Sequence, residues 1–513
     1  MKNSRTSNVV RNMWVGTFFQ ILSLFLGFVS RTIFIKILGE EYLGLNSLFT
    51  NILTILSFAE LGIGNAIIFN MYKPLANNDT KQLKKLISFY KKTYTIIGLS
   101  ILIIGLMIVP FIPSVIDEIP DIKENIYLIY ILFLIDTSIS YFFSYKTSII
   151  TADQKNYIVV MCTYIFKICQ IVLQLILLYF TREYLLYLVL QVINTFLTNL
   201  FLSYKAKKMY PFLKEIGNNQ LSKKEKDTIF SNVKALIIYK LDSVILNGTD
   251  SIIISKYLGL AILGLYSNYY LLVSAITQVL SQLFNAFTSS IGNLIAKENE
   301  EKSKEVFNQL YYFTVAIYCV VCICLYLLFN DFVTIWLGEK YLLSNFVVFT
   351  IVAHLYVNGV QFAGFTFRNA SGNFIQFKYA PIFSSVLNII LSIVLAKYLG
   401  LGGVFLATMV SRLSTSTWID PYIVYKNIFK ENVFEYFIKY IKYLVIILVC
   451  FIPCYYLSKL INVANIGWFI IKGIMLVLVS MAMFLLLTFK TSEFVGLKGR
   501  ILRFISSKKL KRS

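Results

Sequence analysis

Apolar runs of membrane-spanning length alternate with short polar connections along the whole chain. They fall roughly at 13–38, 44–70, 87–113, 125–146, 156–180, 184–204, 230–256, 261–290, 306–329, 342–367, 378–398, 402–423, 438–459 and 464–489. About 20 apolar residues suffice to cross a bilayer core. Lipid offers no partner to backbone N–H and C=O groups, so such runs fold as helices that satisfy their own hydrogen bonds. The pattern therefore predicts an all-α polytopic membrane protein with about 14 transmembrane helices. Runs longer than the hydrocarbon thickness require tilt, or extension beyond the bilayer.

An internal repeat organises these helices. Shifted by 220 positions, Asn12 to Asn65 lands on Asn232 to Asn285 without a gap. Ser23 meets Ser243, Ile33 meets Ile253, and Lys36, Leu38 and Gly39 meet Lys256, Leu258 and Gly259. Gly44, Leu45 and Ser47 meet Gly264, Leu265 and Ser267. Apolar helices match by chance more readily than mixed sequence, but the polar matches are the ones chance supplies least. In each copy two glycines bracket a tight turn between apolar runs. The phrase Ala396-Lys397-Tyr398-Leu399-Gly400 echoes Ser255-Lys256-Tyr257-Leu258-Gly259, so the turn recurs a third time.

The polar, basic segment Lys205 to Asp227 separates the copies. The chain divides into a six-helix lobe at 1–206, a cytoplasmic linker at 207–229, a second six-helix lobe at 230–425, and two further helices with a basic tail at 426–513. Six is even, so the lobes share one orientation. That is a parallel repeat about an axis along the membrane normal, a layout of secondary transporters.

Composition agrees with this reading. The chain is 58% hydrophobic with mean hydropathy +0.71, beyond what a soluble chain of 513 residues carries. The net charge of +22 sits between the apolar runs, which points to membrane-surface contact rather than nucleic acid. With the N-terminus inside, the inner connections are strongly basic: Lys73 to Lys92, Lys205 to Lys226, Lys297 to Lys304, Arg368 to Lys378, Lys426 to Lys442 and Lys498 to Arg512. The outer connections carry few basic residues, and the longest, Pro113 to Asn125, is acidic. Both termini are therefore expected to be cytoplasmic. The first run is too long for a signal-peptide core and reads as a retained span. All seven cysteines lie in apolar runs, without metal or disulfide spacing, and His354 is the one histidine. His-based metal sites and Ser-His catalysis have almost nothing to work with. No cofactor and no enzymatic activity are expected.

Several ionisable residues lie inside the membrane. Asn12, Gly16, Gln20, Ser23, Gly27 and Arg31 recur every three or four positions and share one face of the first span. The seventh span repeats the stripe with Asn232, Leu236, Lys240, Ser243, Asn247 and Asp250 or Ser251. Small residues suit helix packing. A charge costs roughly 3 kcal/mol at the bilayer centre, so Arg31, Lys240 and Asp250 need water or a partner charge. Two readings stay open: a hydrated cavity, or a structural ion pair between lobes. Glu60, Asp136, Lys167, Asp242 and Arg412 are also embedded. Asp250, Glu60 and Asp136 are the candidate ion-coupling carboxylates.

Arg31 with Leu38-Gly39 and Gly44-Leu45 resembles the opening helix hairpin of bacterial polysaccharide flippases. The next stretch, Glu60-Leu61-Gly62-Ile63-Gly64-Asn65-Ala66 followed by Tyr72-Lys73-Pro74-Leu75-Ala76, resembles low-GC Gram-positive members. The resemblance implies a MATE-like fold of the multidrug/oligosaccharidyl-lipid/polysaccharide exporter superfamily, in the bacterial cytoplasmic membrane. It implies transfer of an undecaprenyl-diphosphate-linked oligosaccharide to the outer leaflet by alternating access, driven by a proton or sodium gradient. Membrane lipids and polysaccharide assembly proteins are the implied partners. Family members carry cationic cavity residues. Arg31 matches by position, and Lys240, Arg412, Gln20 and Asn247 complete the candidate substrate site.

A guanidinium suits that substrate, because it can hold a diphosphate bidentately. Three rivals remain. A cation-coupled drug antiporter of the same fold would want an acid-dominated cavity. A cell-wall lipid precursor flippase is hard to separate by sequence. A membrane polymerase, ligase or acyltransferase usually needs a large outer loop or an intramembrane histidine with a partner.

Overall fold

The computed structural model describes residues 2–60, 63–116, 120, 122–215, 221–223, 225–227, 229, 248–371 and 379–500. Among them there is no strand, and eleven helices are long and apolar enough to cross a membrane. The all-α polytopic expectation holds. The chain forms two compact units, Met1–Ser267 and Asn268–Ser513.

The first unit opens with α1 (Lys2–Leu38), α2 (Glu40–Leu56) and α3 (Ile63–Ala76). It continues with α4 (Thr80–Ile108), α5 (Ile126–Ala152), α6 (Asn156–Thr181) and α7 (Tyr184–Met209). α8 covers 248–258 and is followed by the start of α9 (Leu260–Lys297). α5 packs between α4 and α7, and α1 lies along α6. Local sequence sets the helix starts: Asp79 accepts from the Gln82 N–H at 2.9 Å, and Asn125 from the Tyr127 N–H at 2.9 Å. At one end, Glu124 accepts from the Tyr42 hydroxyl and, at 3.3 Å, from the Tyr184 N–H, above a core of Phe34, Tyr184 and Tyr187 rings.

One span departs from expectation. The run at 44–70 is not one helix: α2 stops at Leu56, a 3₁₀ turn covers Ser57–Glu60, and α3 begins at Ile63. Gly62 and Gly64 follow the turn, and glycine is the weakest ordinary helix former. Broken helices at membrane depth are tolerated where surrounding protein satisfies the freed backbone groups.

The second unit holds the rest of α9, α10 (Glu300–Trp336), α11 (Asn345–Val360) and α12 (Phe362–Ala370). It ends with α13 (Ala380–Leu413), α14 (Ser416–Val424), α15 (Phe434–Leu460) and α16 (Ile466–Thr488). The last two helices dock on α10 through Tyr311, Tyr312, Tyr436, Tyr443 and Phe484, an aromatic seam that buries large apolar area. Inside the unit Arg368 and Asp420 form a buried ion pair at 3.0 Å. α13 is kinked at Gly400, which separates the expected runs 378–398 and 402–423.

Gly400 has φ +59°, and Gly39 and Gly259 have φ +95° and +89°, a region glycine alone enters without strain. The third Leu-Gly turn is thus real in the backbone. A fourth occurs at Gly338, φ +102°, where Leu337-Gly338-Glu339-Lys340-Tyr341-Leu342 echoes Leu38-Gly39-Glu40-Glu41-Tyr42-Leu43. Those six residues could have revealed it.

The compact-unit boundary at Ser267 lies beyond the linker at 207–229. The reason is physical: residues 248–267 of the second copy pack against the first copy.

Candidate functional site

The site is built where the two repeat hairpins cross. α1 turns through Gly39 into α2, and α8 turns through Gly259 into α9. Four residues into α2, a Cβ on Gly44 would stand 2.1 Å from the Leu260 carbonyl oxygen. At the equivalent place in α9, a Cβ on Gly264 would stand 2.1 Å from the Glu40 carbonyl oxygen. The shift of 220 exchanges Gly44 with Gly264 and Glu40 with Leu260. The two contacts are thus one contact seen twice, related by a local two-fold. Backbone lies directly on backbone, which only glycine permits.

Away from the turns the symmetry continues in helix pairing and fails in chemistry. Arg31 Nη1 donates to Ser267 Oγ at 2.7 Å, so α1 meets α9. Asn51 Nδ2 donates to Ser251 Oγ at 2.9 Å, so α2 meets α8. Ser251 is the repeat mate of Arg31, and Ser267 that of Ser47. One face of the crossing therefore carries a guanidinium and the other a hydroxyl. Tyr187 of α7 stands beside Arg31 and Ser30. Gly248 admits Ile55, whose side chain would lie 2.5 Å from a Cβ there. A guanidinium engaged through one nitrogen keeps further N–H donors for an anionic group.

The candidate carboxylates occupy separate places in this unit. Asp250 is buried on α8, next to Ser251. Asp136 on α5 accepts from Gln191 Nε2 at 2.8 Å, and its other oxygen, Oδ1, is buried without a hydrogen bond among the described residues. Glu60 sits on the 3₁₀ turn and accepts from the Tyr94 hydroxyl at 2.6 Å. Gln20 is partly buried on α1. Arg412 belongs to the second unit, in the last turn of α13, where its carbonyl accepts from Thr417 Oγ1 at 3.0 Å. Lys240 and Asn247 lie outside the described residues, as do Asp242 and the polar stripe of the seventh span before 248.

Sequence reasoning did not single out a chain of amides running from α6 to α7. Asn194 Nδ2 donates to Gln170 Oε1 at 2.9 Å, Gln170 to Gln174 at 3.3 Å, and Gln174 Nε2 to the Tyr187 carbonyl at 2.9 Å. The i,i+4 spacing of Gln170 and Gln174 on an apolar helix was the available signal.

The helices and the hairpin crossing define an all-helical polytopic membrane protein, and its fold is MATE-like. The chain is similar to lipid II flippase MurJ in its inward closed conformation, with TM-score 0.62, 16% identity, and coverage of 92% of this chain and 98% of that one. It is also similar to an inward-facing multidrug resistance MATE family transporter, with TM-score 0.61, 14% identity, and coverage of 77% and 92%. A MATE transporter from Vibrio cholerae gives TM-score 0.53, 14% identity, and coverage of 84% and 98%. The chain belongs to the polysaccharide biosynthesis protein family, which it matches over residues 9–288, more than half of its 513 residues. No curated protein matches it by sequence.

Proposed function

We propose that this protein is a flippase that passes an undecaprenyl-diphosphate-linked oligosaccharide from the inner to the outer leaflet by alternating access. The observation that carries this reading is Arg31: a guanidinium at the crossing of two repeat hairpins, in a chain of the polysaccharide biosynthesis family. A diphosphate is the anionic element of such a substrate, and a guanidinium holds it through paired N–H donors. The MurJ structure, named for a lipid II flippase, lends the same fold to a lipid-linked cargo. The remaining cavity residues of this reading are Gln20, Lys240, Asn247 and Arg412, with Asp250, Glu60 and Asp136 as coupling candidates. The protein sits in a bacterial cytoplasmic membrane with both termini inside, where its basic connections meet anionic lipid.

In alternating access the crossing at Gly44 and Gly264 is one closed end, and it must part for cargo to leave on that side. The test is reconstitution into vesicles with a labelled lipid-linked oligosaccharide. Wild type moves the label between leaflets, and Arg31→Ala does so far more slowly. Equal rates in the two, or no transfer by wild type, reject the reading. A cationic dye in place of the label tests drug antiport in the same vesicles.

A further inference from the structure

Among the embedded acids, Glu60 has a setting of its own. Asp420 faces Arg368 at 3.0 Å and Asp331 faces Lys472 at 2.7 Å, so each of those carboxylates has a cation as its partner. Among the described residues no cation pairs with Glu60. Tyrosines surround it instead. The Tyr94 hydroxyl donates to Glu60 Oε1 at 2.6 Å, and Tyr94 packs edge-on against Tyr90 with ring centroids 4.3 Å apart. Tyr141 reaches the same carboxyl from α5 and also meets Ser57. The titratable groups facing Glu60 among the described residues are thus Tyr90 and Tyr94 from α4 and Tyr141 from α5.

Two further features show that this cage is built. The carboxyl sits where the helix between Glu40 and Ala76 is interrupted, on the 3₁₀ turn Ser57–Glu60. Gly64, at the start of α3, leaves the room the hydroxyls fill: a Cβ there would stand 2.4 Å from Tyr94 Oη and 2.9 Å from Tyr90 Oη.

A tyrosine hydroxyl both donates and accepts. It can donate to a carboxylate and, by rotating about its C–O bond, accept from a carboxylic acid. The cage therefore satisfies Glu60 in either protonation state, which a lysine or arginine partner cannot do. A lone carboxylate within a membrane is costly when ionised, and protonation removes that cost without moving the helices.

We propose that Glu60 is the proton-binding site of the transport cycle, with Tyr94 and Tyr141 as the positioning residues that let it exchange its proton. The proposal rests on the transport reading above and names its coupling ion. In each cycle one proton joins the carboxylate from one side of the membrane and leaves to the other, with no covalent change.

The experiment uses vesicles carrying the full chain and a labelled undecaprenyl-diphosphate-linked oligosaccharide. Transfer is measured with and without a pH gradient, alongside exchange of label at equal pH. Wild type is expected to be accelerated by the gradient. Glu60→Gln is expected to lose the acceleration, whatever rate of exchange it retains. Tyr94→Phe removes one donor to the ionised carboxyl, so it should keep acceleration while its pH profile moves to higher pH. The proposal is overturned if Glu60→Gln still responds to the pH gradient, or if a sodium gradient alone drives wild type. Should Glu60→Gln not fold, or move no label, an unshifted profile in Tyr94→Phe overturns it alone. A wild type that exchanges label but ignores pH defeats this proposal and leaves the transport reading standing. A wild type that moves no label defeats the transport reading first.

Discussion

The two hairpins at the crossing share a backbone and differ in charge. Gly44 and Gly264 make the same contact with the opposite chain, and Gly39 and Gly259 turn through the same left-handed conformation. Yet the position that is Arg31 in one copy is Ser251 in the other, and their partners, Ser267 and Asn51, are not repeat mates. Duplication supplied a two-fold scaffold, and the chemistry was then placed on one side of it. On the proposed reading, a single off-axis guanidinium serves a cargo with one anionic end. Two of them would place like charges near each other at membrane depth, which costs energy unless a counter-charge follows.

The largest expected effect tests the asymmetry. A hydrogen bond to a charged group contributes about 1.5–3 kcal/mol, which corresponds to roughly tenfold to hundredfold. Arg31→Ala should lower leaflet transfer by that factor. Arg31→Lys should fall between, because it keeps the charge and loses the fork. Ser251→Ala should stay within about twofold, the size of a weak neutral hydrogen bond. Equal losses from the two positions would mean that both faces contact cargo. The next effect tests the symmetry. Alanine at Gly44 or at Gly264 places a methyl 2.1 Å from a backbone oxygen that cannot rotate away. Overpacking of this kind costs about 1–3 kcal/mol. Thermal unfolding in detergent should drop by the same amount for each variant. A drop confined to one of them would show that the contact is not two-fold.

The scaffold was far more legible than the charges. The repeat could be read because Lys, Leu-Gly, Gly-Leu and Ser recur at fixed spacing, and those residues proved to be the turn and the close approach. The break after Leu56 was hidden, because an apolar run with Glu60 in it reads as a continuous span until its tyrosines are seen. Tyr90 and Tyr94 lie on α4 and Tyr141 on α5, some 30 and 80 residues away, and no local pattern joins them to Glu60. Arg31 is legible as a charge inside a membrane run, but its bond to Ser267 depends on how the helices cross.

The smallest effect concerns the segment that joins the two copies, and it separates one source of pH dependence from another. Glu215 pairs with Lys84 at 2.7 Å, and Glu225 accepts from Ser222 and, at 2.6 Å, from Gln82 Nε2. The hydrogen bond and charge of Lys84 hold the Glu215 carboxyl below its ordinary value of 4.5, and the hydroxyl and N–H of Ser222 do the same for Glu225. A carboxyl depressed in the folded protein stabilises it above the ordinary value, and that contribution is lost as pH falls through the depressed one. The strap from the linker to α4 should therefore hold unchanged from mildly alkaline to mildly acidic pH and loosen only below about 4.5. Glu215 is exposed and Glu225 half-buried, both near solvent, so the loss is small. Hydrogen exchange at 221–223 and 225–227 is the measurement, with Lys84→Ala releasing the Glu215 end at every pH. If exchange there already rises near neutrality, the linker contributes to the pH response of transport, and Glu60 can no longer be credited with all of it.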